Sequence, residues 1–498
     1  MKNQLNVYKI SCKRVIRDNR IFAKFLVTSL ICGASIGSLE AASKLSDVVN
    51  NATISGFAFA RVTSLHGQDG SGTRWQWRFK PVITTGAVNG WSGSIGIFYS
   101  KGSSVPDANN TDGDISASRG DVVVNSIDRF GISDYYITYK SKETLGSDTT
   151  IMVGQKSPGT VLNDNVLDRA MGVFVSNKDM SALNIGFQWW DTWIGDDIYF
   201  APRNAGSGVT GINRGVGNNV LLFSLSSGAD FTKDTGLRYN LTYAYGNRWF
   251  SYMIFGDVSY TTKFSNQSLE ILLQLSATGL VNNPQILSNQ EGFRKVYQQL
   301  GTAANETNQS KFAKNSGVYN LRLNYKYDLS ADEDGKSVGS VGLSVGTMGS
   351  FGRGYGTIID NTGGFKVGGV IWNSYPGPDA HGFGILGTGA FDGSWLYGGY
   401  LKGEMKYKKL GASLDVVYVA TSHFYYLRKG SRGPASDNLN ANGTLFPTAN
   451  HIKKANFLEI SPTISYKVAP HITMTAYYGY LIGNPSFGRF RYLITYVF

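Results

Sequence analysis

A chain of 498 residues with 61 Gly, 29 Tyr, 27 Phe and only 12 Pro has room for several compact domains, yet this composition favours one large, repetitive β structure. The net charge of +12 divides unevenly: residues 1–41 carry seven Lys or Arg against Asp18 and Glu40, supplying +5 and leaving +7 for the rest. That excess is spread without a tight basic cluster interleaved with stacking aromatics, which argues against a nucleic-acid surface, and no apolar run after residue 40 approaches the roughly 18 residues of a spanning helix.

The N-terminal segment is a secretory signal in pattern. Lys2, Lys9, Lys13, Arg14, Arg17, Arg20 and Lys24 precede an apolar stretch from Phe25 to Ile36, and small residues follow at Ala41-Ala42. The stretch is too short to anchor the chain in a bilayer, so cleavage is expected near Ala41, with 42–498 as the mature domain. Both cysteines, Cys12 and Cys32, lie inside the signal. The mature chain therefore has no thiolate nucleophile, no Cys-ligated zinc and no disulfide. Bulky Ile31 before Cys32 argues against lipidation.

From about residue 52 onward, alternation with a period of two restarts every 20 to 30 residues. After a first strand over about 52–62, Trp75, Trp77 and Phe79 oppose Gln76, Arg78 and Lys80. Leu237, Tyr239, Leu241 and Tyr243 oppose Arg238, Asn240 and Thr242, and Tyr319 to Tyr327 alternate with Asn320, Arg322, Asn324 and Lys326. Leu401, Met405 and Tyr407 oppose Lys402, Glu404 and Lys406. Leu458, Ile460, Ile464, Tyr466 and Val468 oppose Glu459, Ser461, Thr463, Ser465 and Lys467. At the end, Phe490, Tyr492, Ile494, Tyr496 and Phe498 share one face and Arg489, Arg491 and Thr495 the other.

A soluble β-sandwich also alternates, so the chemistry of the two faces decides. Here the polar face is charged on many strands and the apolar face carries Tyr, Trp and Phe, as lipid outside and water inside require. Val468-Ala-Pro-His471 and Tyr407-Lys-Lys-Leu410 read as tight turns, whereas 101–130, 192–218, 279–316 and 421–455 are long, polar connections. The expectation is an all-β, antiparallel transmembrane barrel of 16 to 20 strands, 18 being the best count, with short periplasmic turns and long extracellular loops. No plug-sized region precedes the first strand, which argues against an energised transporter. A barrel of this size in the outer membrane reads as a porin passing ions and small polar solutes; a barrel adhesin binding host partners through loops 279–316 and 421–455 stays open beside it.

The terminal strand closing on Phe498 is similar to the recognition segment used by the outer-membrane barrel assembly machinery. Ser46–Phe57 (SDVVNNATISGF), Tyr135–Tyr139 (YYITY) and above all Ile151–Gly172 (IMVGQKSPGTVLNDNVLDRAMG) resemble the major outer membrane protein porins of Campylobacter and related bacteria. The match covers about 120 residues of the N-terminal half. It implies an 18-stranded homotrimeric general porin with a loop-narrowed channel, and a calcium ion held by acidic side chains. On the family's pattern Asp168 falls on a calcium ligand, with Asp197 and Asp360 as further candidates. The chain is richer in positive charge than that family's pattern leads one to expect, which bears on cation selectivity.

Charges lining a narrow pore act as an electrostatic filter. Asp164 and Asp168 fall in the third outer loop, where a loop can fold inward, and Asp191, Asp196 and Asp197 lie near the next. Arg61, Arg74, Arg78, Arg489 and Arg491 face the lumen on first and last strands, which become neighbours when the barrel closes. An acidic loop opposite this basic wall is the expected constriction. Calcium chemistry wants carboxylate and carbonyl oxygens, yet no twelve-residue loop motif appears, so no cofactor is required by the residues themselves.

Catalysis finds little support. Ser422 and His423 are adjacent on a strand and point to opposite faces, and His66 and His451 read as loop residues. The G-x-S-x-G matches at Gly33, Gly335 and Gly342 lack a strand-to-helix elbow.

Overall fold

The computed structural model describes residues 46–67, 70–102, 128–166, 168–194, 219–247, 249–281, 312–329, 338–359, 363–373, 383–385, 388–426 and 450–498. The expected signal, 1–41, lies outside them.

Eighteen strands follow one another in chain order. They are β1 (Thr53–Gly67), β2 (Gly70–Thr84), β3 (Trp91–Gly102), β4 (Asp128–Lys140), β5 (Thr149–Lys156) and β6 (Arg169–Asn177). Next come β7 (Leu183–Ile194), β8 (Val220–Ser227), β9 (Leu237–Gly246), β10 (Phe250–Phe264), β11 (Gln267–Leu280) and β12 (Asn315–Asp328). The last six are β13 (Gly339–Gly352), β14 (Leu396–Tyr407), β15 (Leu410–Tyr426), β16 (Asn450–Ala469), β17 (Ile472–Asn484) and β18 (Phe487–Val497). Each pairs antiparallel with its sequence neighbours. β1 closes on β18 in an unbroken register from Phe57↔Val497 to Gly67↔Phe487. Closure leaves no sheet edge, which matters because hydrocarbon offers nothing to an unpaired backbone amide or carbonyl.

The start of β1 and the end of β18 meet at one rim. At that rim the connections are short: Ser265-Asn266 between β10 and β11, Lys408-Lys409 between β14 and β15, and Pro470-His471 between β16 and β17. Ser265 and Lys408 adopt positive φ, 54° and 50°, which a tight turn between twisted strands demands. The opposite rim carries the long connections. Pairing runs farther into them than the sequence suggests: β15 continues to Tyr426 and β16 begins at Asn450, so the loop expected over 421–455 shrinks to 427–449. The first strand likewise extends to Gly67 and carries His66, expected in a loop.

The alternation sorts as lipid and water demand. Leu321, Leu323, Tyr325 and Tyr327 on β12, and Ile464, Tyr466 and Val468 on β16, are exposed on the outside. Asn320, Glu459 and Ser461 from the opposite phase are buried inside. Aromatics gather toward both rims, with Trp91, Tyr260, Phe264 and Tyr466 near the turns and Trp75, Trp395 and Tyr397 near the loops. The inward phase is not polar throughout, however. Met253 and Phe255 on β10, Val417 and Val419 on β15 and Phe457 on β16 are inward and fully buried, and they join one apolar cluster with residues of the connection 353–395.

Candidate constriction of the lumen

The connection 353–395 between β13 and β14, which the sequence does not mark as a long loop, turns into the barrel. Its apolar residues Tyr355, Ile358, Phe365, Ile371, Trp372, Phe383 and Phe391 are buried. Phe365 meets Phe255 of the wall edge to face at 5.0 Å, and the Phe383 ring packs tilted against Phe365 at 4.8 Å. A loop inside a polar tube must still satisfy its backbone, and here the wall does so residue by residue. Thr278 on β11 donates to Thr357 O at 2.7 Å, and Gln274 Nε2 to Gly364 O at 2.9 Å.

The firmest attachment is at the bend 369–372. Glu459 on β16, fully buried, accepts the backbone N–H groups of Val370 (2.6 Å) and Ile371 (2.9 Å) on one oxygen and of Trp372 (2.9 Å) on the other. Ser461 adds its hydroxyl at 2.5 Å. Asp415 on β15 accepts the N–H of Gly369 at 3.0 Å, and Arg489 on β18 donates to Val370 O. Gly369 sits at φ +95°, a conformation that a side chain would strain. Opposite, Gly479 on β17 leaves the room that Ile371 fills: a Cβ there would come 2.6 Å from the Ile371 Cδ1. Two wall carboxylates thus hold four consecutive amides, a charge-assisted clamp on the bend.

The second component is the arginine wall. Thr63 pairs with Arg491 and Phe59 with Arg78 across β18, β1 and β2, which brings Arg61, Arg78, Arg489 and Arg491 onto one inward patch. Arg74 takes the matching register position opposite Thr63; its side chain lies outside the described residues. Aromatic faces support the guanidinium groups. Arg61 and Arg78 each lie 5.1 Å from the Phe59 ring centre, and Arg489 and Arg491 lie 5.2 and 5.6 Å from that of Tyr477. Arg491 Nε also donates to Thr63 Oγ1 at 3.1 Å. Beside this patch, Asp134 on β4 bridges Lys80 of β2 (3.2 Å) and Arg169 of β6 (3.4 Å).

The third outer connection, 157–168, which carries Asp164 and Asp168, also folds inward. It meets the loop 353–395 directly: Gly364 donates to Val161 O at 2.7 Å and Ile359 to Leu162 O at 2.8 Å. Asp168 is fully buried, and its Oδ2 accepts Asn163 Nδ2 at 3.1 Å and the Asp164 N–H at 3.3 Å. Asp164 in turn caps the Val166 N–H at 2.8 Å. An oxygen that already takes N–H donors is a poor start for a calcium cage, which needs six to eight oxygens. Among the described residues no group of three His, Asp or Glu side chains converges to hold a metal. Asp196, Asp197 and Asp360 lie outside the described residues, and Asp191 sits on β7, where Asn219 reaches it at 3.4 Å.

The sequence therefore places the arginine wall and the third loop, but it misses Glu459, Asp415, Gln274 and the loop they hold. A signal was present: Ile358, Ile359, Phe365, Val370, Ile371 and Trp372 crowd a stretch without alternation, more apolar than an outer loop in water should be. Ser422 and His423 do face opposite ways. The Ser422 hydroxyl bonds the Trp395 backbone while the His423 ring packs against Phe391 at 5.3 Å.

The fold is shared with solved outer-membrane channels. The chain is similar to Pseudomonas aeruginosa OccK9 (OpdG), with 11% identity, TM-score 0.55, and 90% of this chain and 99% of that one covered. It is similar to Acinetobacter baumannii OccAB1, with 11% identity, TM-score 0.54, and coverage of 90% and 96%. A BenF-like porin from Pseudomonas fluorescens Pf-5 gives 8% identity, TM-score 0.55, and coverage of 90% and 98%. Among curated proteins none matches. The sequence profile of the Campylobacter major outer membrane protein matches residues 23–273, half of the chain, and with the closed 18-stranded barrel around it the chain belongs to that family of outer-membrane porins.

Proposed function

We propose that the protein is a passive channel for ions and small polar solutes, narrowed midway by the inward loop 353–395 and flanked by the arginine wall. The observation that carries this reading is the clamp at Glu459 and Asp415, because a loop held by wall carboxylates inside a tube sets a fixed aperture instead of a plug that must be expelled. Charged groups on the adjoining wall then act on whatever passes. Export through a cleaved N-terminal signal, a trimeric assembly and insertion by the barrel assembly machinery through Phe498 belong to the same reading and rest on sequence pattern and resemblance. No metal is required by it; calcium at Asp168 would have to displace the N–H donors already there.

Refolded protein in planar bilayers under a salt gradient tests the proposal. It predicts stepwise conductance with a defined reversal potential, and heat-modifiable migration on gels; folded protein that opens no channels would refute it. Trimming the outer connections 282–311 and 427–449, both outside the described residues, separates the adhesin reading. Host binding lost with conductance intact assigns binding to those loops.

A further inference from the structure

Besides Arg353, which pairs with Asp392 at its foot, the loop 353–395 carries Lys366, a cation that the clamp does not use. The Lys366 main chain is fixed on three sides: its N–H donates to Gln274 Oε1 at 2.8 Å, and its carbonyl accepts from Asn320 Nδ2 and the Tyr400 hydroxyl, each at 3.2 Å. Its side chain is exposed and, among the described residues, makes no ion pair. The wall around it holds Arg238 on β9, paired with Asp257 at 3.1 Å, and Arg322 on β12, paired with Glu270 at 2.9 Å. Three cations thus face two carboxylates, and both carboxylates are engaged by the arginines. Desolvation first, and Arg238 next, lower the Lys366 ammonium from the ordinary lysine range, against the smaller opposing pull of Glu270 and Asp257. Basic residues continue toward the turn rim, where Lys326 pairs with Asp328 and Lys402 with Glu404. Arg238 also borders a hollow shared with Lys233 and Lys263.

We infer that Lys366, backed by Arg238 and Arg322, is a docking point at which small oxyanions, carboxylate- or phosphate-bearing, pause on their way through the lumen. The inference rests on the porin reading and deepens it. A lysine offers a point charge without the fixed fork of arginine, so the site attracts oxyanions by charge and does not select one shape. The pinned main chain keeps that charge at a fixed place on the path, which a lysine on a free loop would not.

The test uses the full-length protein in planar bilayers with potassium chloride carrying the current, and potassium succinate or inorganic phosphate added to one side. Wild-type channels should show concentration-dependent interruption of current by either probe. Lys366→Gln should weaken the apparent affinity about tenfold, the loss of one charge-assisted contact, while Lys366→Arg stays within about twofold. Lys326→Gln, which removes an already paired lysine at the rim, should change little. A loss confined to succinate or to phosphate supports the site and narrows its class. Equal affinity in wild type and Lys366→Gln, or no interruption in wild type, overturns the inference while the chloride current leaves the porin reading standing. Absence of any chloride current overturns both. Heat-modifiable migration of each variant verifies folding, which the exposed side chain should not disturb.

Discussion

The wall at β18, β1 and β2 and the wall from β10 to β16 are built from the same alternating strands, yet they present opposite interiors. The first turns arginines inward and rests them on aromatic rings, the buried Arg489 also reaching the loop at Val370 O. The second turns inward apolar residues such as Phe255, Val417 and Val419, together with polar groups such as Gln274, Asp415 and Glu459, and both kinds are taken up by the loop 353–395. Strand geometry alone decides which side chains face the lumen; it does not decide whether they meet water or protein. The second wall is a binding surface for part of its own chain.

That difference can be broken from the lipid side first. Leu323 and Asn324 are neighbours on β12, one exposed outside and one inside. Leu323→Arg is expected to cost about 2–4 kcal/mol near the bilayer midplane, whereas Asn324→Arg should cost under about 1 kcal/mol and show mainly as altered conductance. Urea unfolding in lipid vesicles, read by the gel shift, checks the order; equal costs would mean that the faces are wrongly assigned.

A smaller effect is expected at the clamp. Glu459→Ala leaves three backbone N–H groups without their acceptor, about 1–3 kcal/mol of local stability when a buried partner is lost. Lumenal water can reach some of them, so the barrel should stay folded while single-channel current becomes noisy. Glu459→Gln should not rescue it fully, since the amide presents N–H groups where an oxygen is needed. At the loop's foot, Arg353 holds the Asp392 carboxyl below the usual carboxylate range through a two-pronged hydrogen bond. A depressed value in the folded protein means that the contact contributes fully above the unfolded carboxylate pKa of about 4 and is lost as the pH falls through the depressed value. Current noise should therefore rise in wild type only below pH ~4, and Asp392→Asn should raise it at neutral pH. Least of all is expected from calcium removal: a chelator should leave the gel-shift temperature unchanged, because Asp168 is satisfied by Asn163 and the Asp164 amide.

What the sequence reveals follows the same division. The outward phase of β12, β16 and β18 is legible because lipid imposes one requirement on every residue there, and strand number follows from counting such stretches. The arginine wall is legible for a related reason, since closure makes first and last strands neighbours. The loop 353–395 is not legible, because its place depends on partners far away in the chain: Gly369 finds Asp415 at a separation of 46 residues, Lys366 finds Gln274 at 92 and Val370 finds Arg489 at 119. Glu459 looks like any lumenal carboxylate in an alternating strand until the bend it holds is seen. Asp168, singled out by resemblance, lies on the inward third loop, where its carboxylate accepts amide donors.

Replacing residues 354–394 by a short turn, and comparing single-channel steps of that protein and the wild type under identical salt, bears most directly on whether this loop sets the aperture. A larger step, with heat-modifiable folding retained, is the predicted result. A step equal to or smaller than that of wild type from a folded barrel would contradict it, and the narrowing would then have to lie elsewhere in the lumen.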